Sequence, residues 1–284
     1  MAESLVTFSD GAEYCALQAE VNRALIAMIA MANAIGLRAA QLPSLSPVAE
    51  PGPAYVAVNC RDLNAKRLMV ALVLGQSNAA NHGETRASVP ENVYSFYHGQ
   101  CYRAQDPLPG ASGSGGSVWT RLGPKIVKAR WYDAVLFVPL GVESTAVAQW
   151  AQPGPLQQML ALSIDSLRQH GLVITHVLWH QGEADAKKRT SQADYRQRFL
   201  EMLGGIRSRG VAAPVYVSIA TRCGATSSEA IRRAQRALVD PAHGIEQGPD
   251  TDVLGDEYRL QGCHFSERGL ARVAELWFER LNNR

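Results

Sequence analysis

The chain has 284 residues, 46% hydrophobic and 19% charged, enough apolar material for one large α/β domain or two small ones. Its net charge is only +2 and no basic run is interleaved with aromatics, which argues against a nucleic acid or an anionic membrane surface as partner. No stretch reaches the roughly 20 uninterrupted apolar residues of a membrane span.

Residues 11–40 read as a helix. Its apolar part, "ALQAEVNRALIAMIAMANAIGLRAA" (16–40), carries Glu20, Arg23 and Asn33, which suits an amphipathic or buried helix. The preceding "MAESLVTFSDGAEYC" has acids and no Lys or Arg, unlike the basic start of a signal peptide. Location stays open: secreted or periplasmic if a signal was removed upstream, cytoplasmic otherwise. "PSLSPVAEPGP" (43–53) breaks the helix and reads as a linker. Residues 1–53 are thus expected to form an N-terminal extension, and residues 54–284 the main domain.

In that domain "AYVAVNC" (54–60) reads as a short strand. Four apolar runs have the length of buried strands: "LMVALVL" (68–74), "AVLFVPL" (134–140), "VITHVLW" (173–179) and "PVYVSIA" (214–220). Helical patterns lie between and after them, at 155–171, 191–210, 227–240 and 266–281. The first opens on a proline and closes on a glycine; the second opens on a serine cap and sets Tyr195, Phe199, Met202 and Ile206 on one face. Strands alternating with helices predict a three-layer α/β/α sandwich around a parallel sheet. Segment 81–131 has little apolar periodicity. Its Gly/Ser-rich "PLPGASGSGGSVW" (107–119) reads as a loop across the strand ends, because strands resume directly afterwards.

Open α/β sheets place their chemistry at the carboxyl ends of strands. After 68–74 comes "GQSN" (75–78), after 173–179 comes "HQGEADA" (180–186), and "QGCHFSERG" (261–269) puts His264 just before the last helix. A serine, an amide-rich turn and a late histidine are the parts of a serine esterase. The hydroxyl needs a base to take its proton, and the tetrahedral oxyanion needs donors aimed at it. Ser77 and His264 are therefore expected within hydrogen-bond reach, or somewhat farther apart without substrate. No GxxxxGK[ST] loop or acidic metal cluster points to phosphate chemistry, and no cofactor is implied. The five cysteines (Cys15, Cys60, Cys101, Cys223, Cys263) lack metal-ligand spacing, and their odd number leaves at least one unpaired within the chain. Cys223 and Cys263 fall at the same rim of the expected sheet and should lie near each other.

The pairing of "GQSN" with "WHQGEAD", a glycine-bearing loop "GGSVWTRLG" (115–123) and the late "CHFSERG" resembles the SGNH hydrolase superfamily. More narrowly, it resembles the sialate O-acetylesterase-like branch, carbohydrate esterase family six, from about Leu68 to the C-terminus. The resemblance implies an O-acetylated carbohydrate as substrate and hydrolysis without a metal. It implies Ser77 as nucleophile and His264 as general base. It also implies an oxyanion hole made by the Ser77 N–H, a glycine N–H (Gly116, with Gly115 next) and the Gln181 side chain. Gln76 and Asn78 would brace the nucleophile turn, and Glu183 would bond across the turn near the site. His180 is either a substrate contact or a packed core histidine. Tyr94, Tyr97, Trp119 and Trp150 could stack on a sugar or pack in the core. His82, His98, His170, His176 and His243 carry no motif.

One position departs from the family pattern. Where an aspartate stands three residues before the histidine, this chain has Gln261. A glutamine can orient the imidazole but cannot offset its charge; in a serine protease, the amide in place of the triad aspartate costs about four orders of magnitude in turnover. Three alternatives follow: a Ser–His dyad supported by a backbone carbonyl; a carboxylate from elsewhere, such as Asp256, Glu257 or Glu183; or lost activity. The last would leave a glycan-binding protein on the same fold. An O-acetyltransferase would use the same site. Oligomeric state is not legible.

Overall fold

The computed structural model describes residues 45–63, 67–89 and 92–282. The helix expected over 11–40 lies outside them. The described residues belong to one compact unit that begins at Leu45, not at 54. Part of the expected linker is tied into it: Ala49 N–H donates to the Ala111 carbonyl (2.8 Å), and Ala49 accepts from Gly110 N–H (3.0 Å).

Eight strands form one sheet: β1 (Ala57–Val58), β2 (Leu68–Gly75), β3 (Val93–Tyr97), β4 (Gln100–Arg103), β5 (Ala134–Pro139), β6 (His176–His180), β7 (Val215–Ile219) and β8 (Ile245–Asp250), in the order β1-β4-β3-β5-β2-β6-β7-β8. From β3 to β8 every neighbouring pair is parallel. The expectation of a parallel sheet needs one amendment, since β4 and β1 add an antiparallel edge. A disulfide between Cys60, in the short α1 (Cys60–Leu63), and Cys101, in β4, staples this edge.

Parallel strands covered on both faces are apolar on both faces, and β2 shows it. Val70, Leu72 and Leu74 enter one core with Trp150, Leu160, Trp179 and Phe199, whereas Met69, Ala71 and Val73 enter the other with Trp119, Phe137, Leu270 and Trp277. The first layer holds α3 (Val147–Ala151), α4 (Pro155–Gln169), α6 (Gln192–Arg207) and α7 (Glu229–Leu238); the second holds α2 (Trp119–Lys128) and α8 (Glu267–Asn282). Another helix, α5 (Glu183–Lys188), follows β6 directly, and a small hairpin of β9 (Arg259–Leu260) and β10 (His264–Phe265) precedes α8. The four expected long helices form within a few residues of their predicted bounds, with Ser191 capping α6 by accepting from the Asp194 N–H. Segment 81–131 is more ordered than expected, holding β3, β4 and α2. Among the described residues no helix is long and apolar enough to cross a membrane.

Candidate active site

Strand β2 ends at Gly75, whose φ of +140° is open chiefly to glycine, and a Cβ there would run into the His180 carbonyl. That close approach lets β2 and β6 finish side by side. Gly182 repeats the device after β6, at φ +155° against the Ala220 carbonyl. Between these ends the chain turns into a single 3₁₀ turn, Ser77–Ala79. The Ser77 N–H, at its start, makes no hydrogen bond among the described residues.

Three side chains fasten this turn. Gln76 donates its N–H to the His180 carbonyl (3.2 Å), and its Oε1 accepts from the Ala184 N–H (2.9 Å). Asn78 donates through Nδ2 to Glu183 Oε1 (2.7 Å) and to the Cys263 carbonyl (3.4 Å), joining the Ser77 turn to the residue before His264. Trp119 Nε1 donates to the Ala79 carbonyl (2.7 Å). The bracing expected of Gln76 and Asn78 is thus made of specific bonds, and Glu183 is where the turn-bonding role put it.

His264 stands on β10. Arg259 Nη1 donates to the Cys263 carbonyl (2.8 Å), and Cys263 is disulfide-bonded to Cys223, which follows β7. The expected proximity of these two cysteines is therefore a bond. Ser77 and His264 line one cleft of about 530 Å³, together with Gln76, Glu143, Ser144 and Glu183. The two side chains do not hydrogen-bond each other in this arrangement. Burial pulls the His264 imidazole below its ordinary 6.5; His82 and Arg259 push the same way, and Glu143 opposes them. Glu183 is buried, with Oε2 unpartnered, and burial lifts its carboxyl from 4.5 to about 7 in spite of the Asn78 bond.

Several expected site residues are not brought to the cleft. The Gly115 N–H is spent on the Asn81 carbonyl (2.7 Å) and the Gly116 N–H on the Gly83 carbonyl (2.9 Å), so neither is free to face an oxyanion. Gln181 is fully buried, and its Nε2 is shared among Asp185 Oδ2, the Thr145 carbonyl and Gln76 Oε1. It ties three loops together beneath the site. His180 is a core histidine: packed against Phe265 and Trp277, it is held neutral by burial, its pKa falling to about 3. Trp119 and Trp150 are fully buried, so packing and not sugar stacking explains them. Gln261 is exposed at the β9–β10 turn with φ +52°, and its side chain makes no hydrogen bond to any described residue. Of the alternative carboxylates, Asp256 is taken by Arg222 (2.8 Å), Glu257 is exposed, and Glu183 bonds to Asn78.

Other residues of the site had no sequence signal. In the loop after β5, Glu143 anchors its N–H on Ser112 Oγ (2.8 Å), and Ser144 follows at φ +59°. A non-glycine residue there is uncommon and marks a backbone held by its surroundings. The Ser144 N–H has no partner among the described residues, and the residue lines the cleft. His82 packs against His264 with ring centroids 5.1 Å apart and the rings tilted by 33°, its Nε2 lying 3.2 Å from Ser112 Oγ and 3.7 Å from Glu143 Oε2.

Residues 67–280 match the family model described as carbohydrate esterase, sialic acid-specific acetylesterase. The chain belongs to this family. It is accordingly a carboxylic ester hydrolase of the carbohydrate-esterase kind, with the SGNH-type three-layer fold. Among solved structures, a protein from Arabidopsis thaliana shares the fold with a TM-score of 0.62 at 17% identity, over 77% of this chain and 99% of that one. NanS aligns at 0.49 and 18% identity, over 75% of the esterase and 95% of its own chain. A peptidoglycan O-acetylesterase aligns at 0.38 and 19%, over 52% and 46%. A search of curated protein sequences finds no match.

Proposed function

We propose that this esterase removes O-acetyl groups from a carbohydrate through an acetyl-enzyme on Ser77, with His264 as the base. The observation that carries the reading is the sharing of one cleft by a serine at a strand-end turn and a partly buried histidine held below its ordinary pKa. A base must be neutral to accept a proton, and burial favours the neutral form of this imidazole. The Ser77 hydroxyl gives its proton to His264 as Oγ attacks the acetyl carbonyl. The tetrahedral oxyanion collapses, the sugar oxygen leaves with the proton from His264, and water activated by the same imidazole releases acetate.

The oxyanion donors in this reading are the N–H groups of Ser77 and Ser144. Both lie at the cleft and both lack partners among the described residues. They replace the glycine and glutamine donors, whose hydrogen bonds are already committed. The left-handed turn at Ser144 gives a reason for a strained backbone at this point: it leaves an N–H at the cleft without a partner among the described residues.

The test is acetate release from a panel of O-acetylated sugars and polysaccharides, compared with Ser77→Ala and His264→Ala. Loss of turnover by at least about a thousandfold in both is expected. A Ser77→Ala protein that still releases acetate at the parent rate would sink the mechanism. Acetyl appearing on an added sugar acceptor instead of in water would identify the transferase variant.

A further inference from the structure

Among the described residues no carboxylate hydrogen-bonds to His264, and the position expected to supply one, Gln261, is exposed. The charges around His264 come from four directions. Arg259 stands on its own hairpin, and Glu183, Lys187 and Lys188 come from α5. His82 comes from the stretch after the nucleophile turn, and Glu143 from the loop after β5. Arg259 and His82 oppose a positive charge on His264, and Lys187 and Lys188 carry the same sign. Asn78 already holds Glu183 Oε1. Among the described residues, Glu143 is the carboxylate at the cleft wall that reaches the histidine pair, 3.7 Å from His82 Nε2.

We infer that Glu143 is the electrostatic partner of His264, acting across the His82 ring to stabilise the imidazolium that forms when Ser77 attacks. This rests on the reading of His264 as the base. The geometry is a chain of contacts from Glu143 through His82 to His264. Glu143 is fixed by its N–H on Ser112 Oγ (2.8 Å), and that hydroxyl sits 3.2 Å from His82 Nε2. The Glu143 carboxylate reaches to 3.7 Å from the same nitrogen, and the His82 and His264 rings lie 5.1 Å apart between centroids, tilted by 33°. Burial holds His82 below its ordinary pKa, so it stands between the carboxylate and the base as a neutral, polarisable ring. The proton moves from Ser77 Oγ to His264 and on to the leaving oxygen, while the field of the Glu143 carboxylate offsets the transient positive charge. Glu143 is therefore a positioning residue, with a field in place of a hydrogen bond.

The experiment is a pair of pH titrations on the intact protein and on Glu143→Gln. One follows the His264 ring by NMR; the other follows kcat/KM for p-nitrophenyl acetate. Removing the negative charge lowers the His264 pKa, because Glu143 is the group that raises it. The acidic limb of the rate profile then moves to lower pH, and the plateau falls by about three- to thirtyfold, the range for a charge several ångströms away behind partial solvent screening. Glu143→Asp should restore part of both effects. A structural role would lower the plateau without moving the limb. Superimposable titrations of parent and Glu143→Gln overturn the inference, as does a rise in the His264 pKa confined to Gln261→Asp. A wrong base assignment shows separately, as a His264→Ala protein that keeps its rate.

Discussion

Glu183 should make this esterase lose stability as pH rises through neutrality, and Glu183→Gln should remove most of that loss. The carboxyl is buried against the Ser77 turn with one oxygen bonded to Asn78 and the other unpartnered, and its pKa is lifted to about 7 in the folded protein against an ordinary 4.5. Between those two pH values the unfolded chain has released the proton and the folded protein still holds it. The folded state thus binds more protons, and stability falls with rising pH. The contribution is fully present below about pH 4.5 and is lost as pH passes 7. Moving the carboxyl from 4.5 to about 7 corresponds to about 3 kcal/mol, at roughly 1.4 kcal/mol per pH unit. Glutamine has the same shape. Its oxygen can accept from Asn78 and its amide can occupy the site of the unpartnered oxygen, so the substitution costs little where Glu183 is protonated. Urea unfolding of parent and variant at pH 5 and pH 8 gives the comparison. The variant should gain on the parent by about 2–3 kcal/mol between the two pH values. Equal differences at both pH values would refute the burial argument and mean that Glu183 is ionised in the folded protein.

Other consequences follow from the same coordinates. With Cys60–Cys101 and Cys223–Cys263 bonded, the denatured, unreduced protein should titrate one thiol of its five cysteines; five would remove both bridges. Breaking Cys223–Cys263 by a double serine substitution opens a loop with a sequence separation of 40 and should cost up to roughly 4 kcal/mol in denaturant unfolding. It should also lower kcat, because it releases the residue next to His264. Gly75→Ala must place a Cβ against the His180 carbonyl at φ +140°, and should lower stability by about 1–3 kcal/mol or more; an unchanged melting temperature would contradict the close approach of β2 and β6. Because the His264 pKa is lowered, the plateau of kcat/KM should extend below pH 6.5, and an acidic limb centred above that value would show that burial does not dominate.

The sheet and its helices were legible because their signals are local. Leu68–Leu74 is apolar on both faces, which a strand between two helical layers requires, and Ser191 stands where a cap is needed. The missed elements break such rules. The β3–β4 hairpin turns through His98 and Gly99 at φ +47° and +79°, where Asn-Gly would have been the recognisable turn. Helix α2 carries Pro124 in its interior and is held by Trp119, Leu122 and Ile126 in the core, so tertiary packing overrides a breaker. Strand β8 includes Gly248 and Pro249, and is made a strand by parallel pairing with β7.

The site divides along the same line. Ser77 and His264 announce themselves because each sits in a distinctive turn at a strand end or before a helix. The surroundings of the imidazole cannot be read that way. Glu143 is 121 positions before His264, and Arg259 reaches the Cys263 carbonyl only because the β9–β10 hairpin folds it back. Position also misled in the other direction: Gln261 has the right spacing from His264, but the hairpin turn at φ +52° leaves its side chain exposed. Spacing of three fixes a contact only where the local backbone is the one the motif assumes. Here the turn differs, so the charge that accompanies His264 has to be sought in space, where the loop after β5 supplies it at the cleft wall. The oxyanion donors obey the same reasoning. Gly115 and Gly116 have the composition of a donor loop, but their N–H groups close a bridge to Asn81 and Gly83, whereas Ser144, with no motif, has an N–H without a partner among the described residues. A free donor is a property of the hydrogen-bond network around it, and residue type alone does not report it.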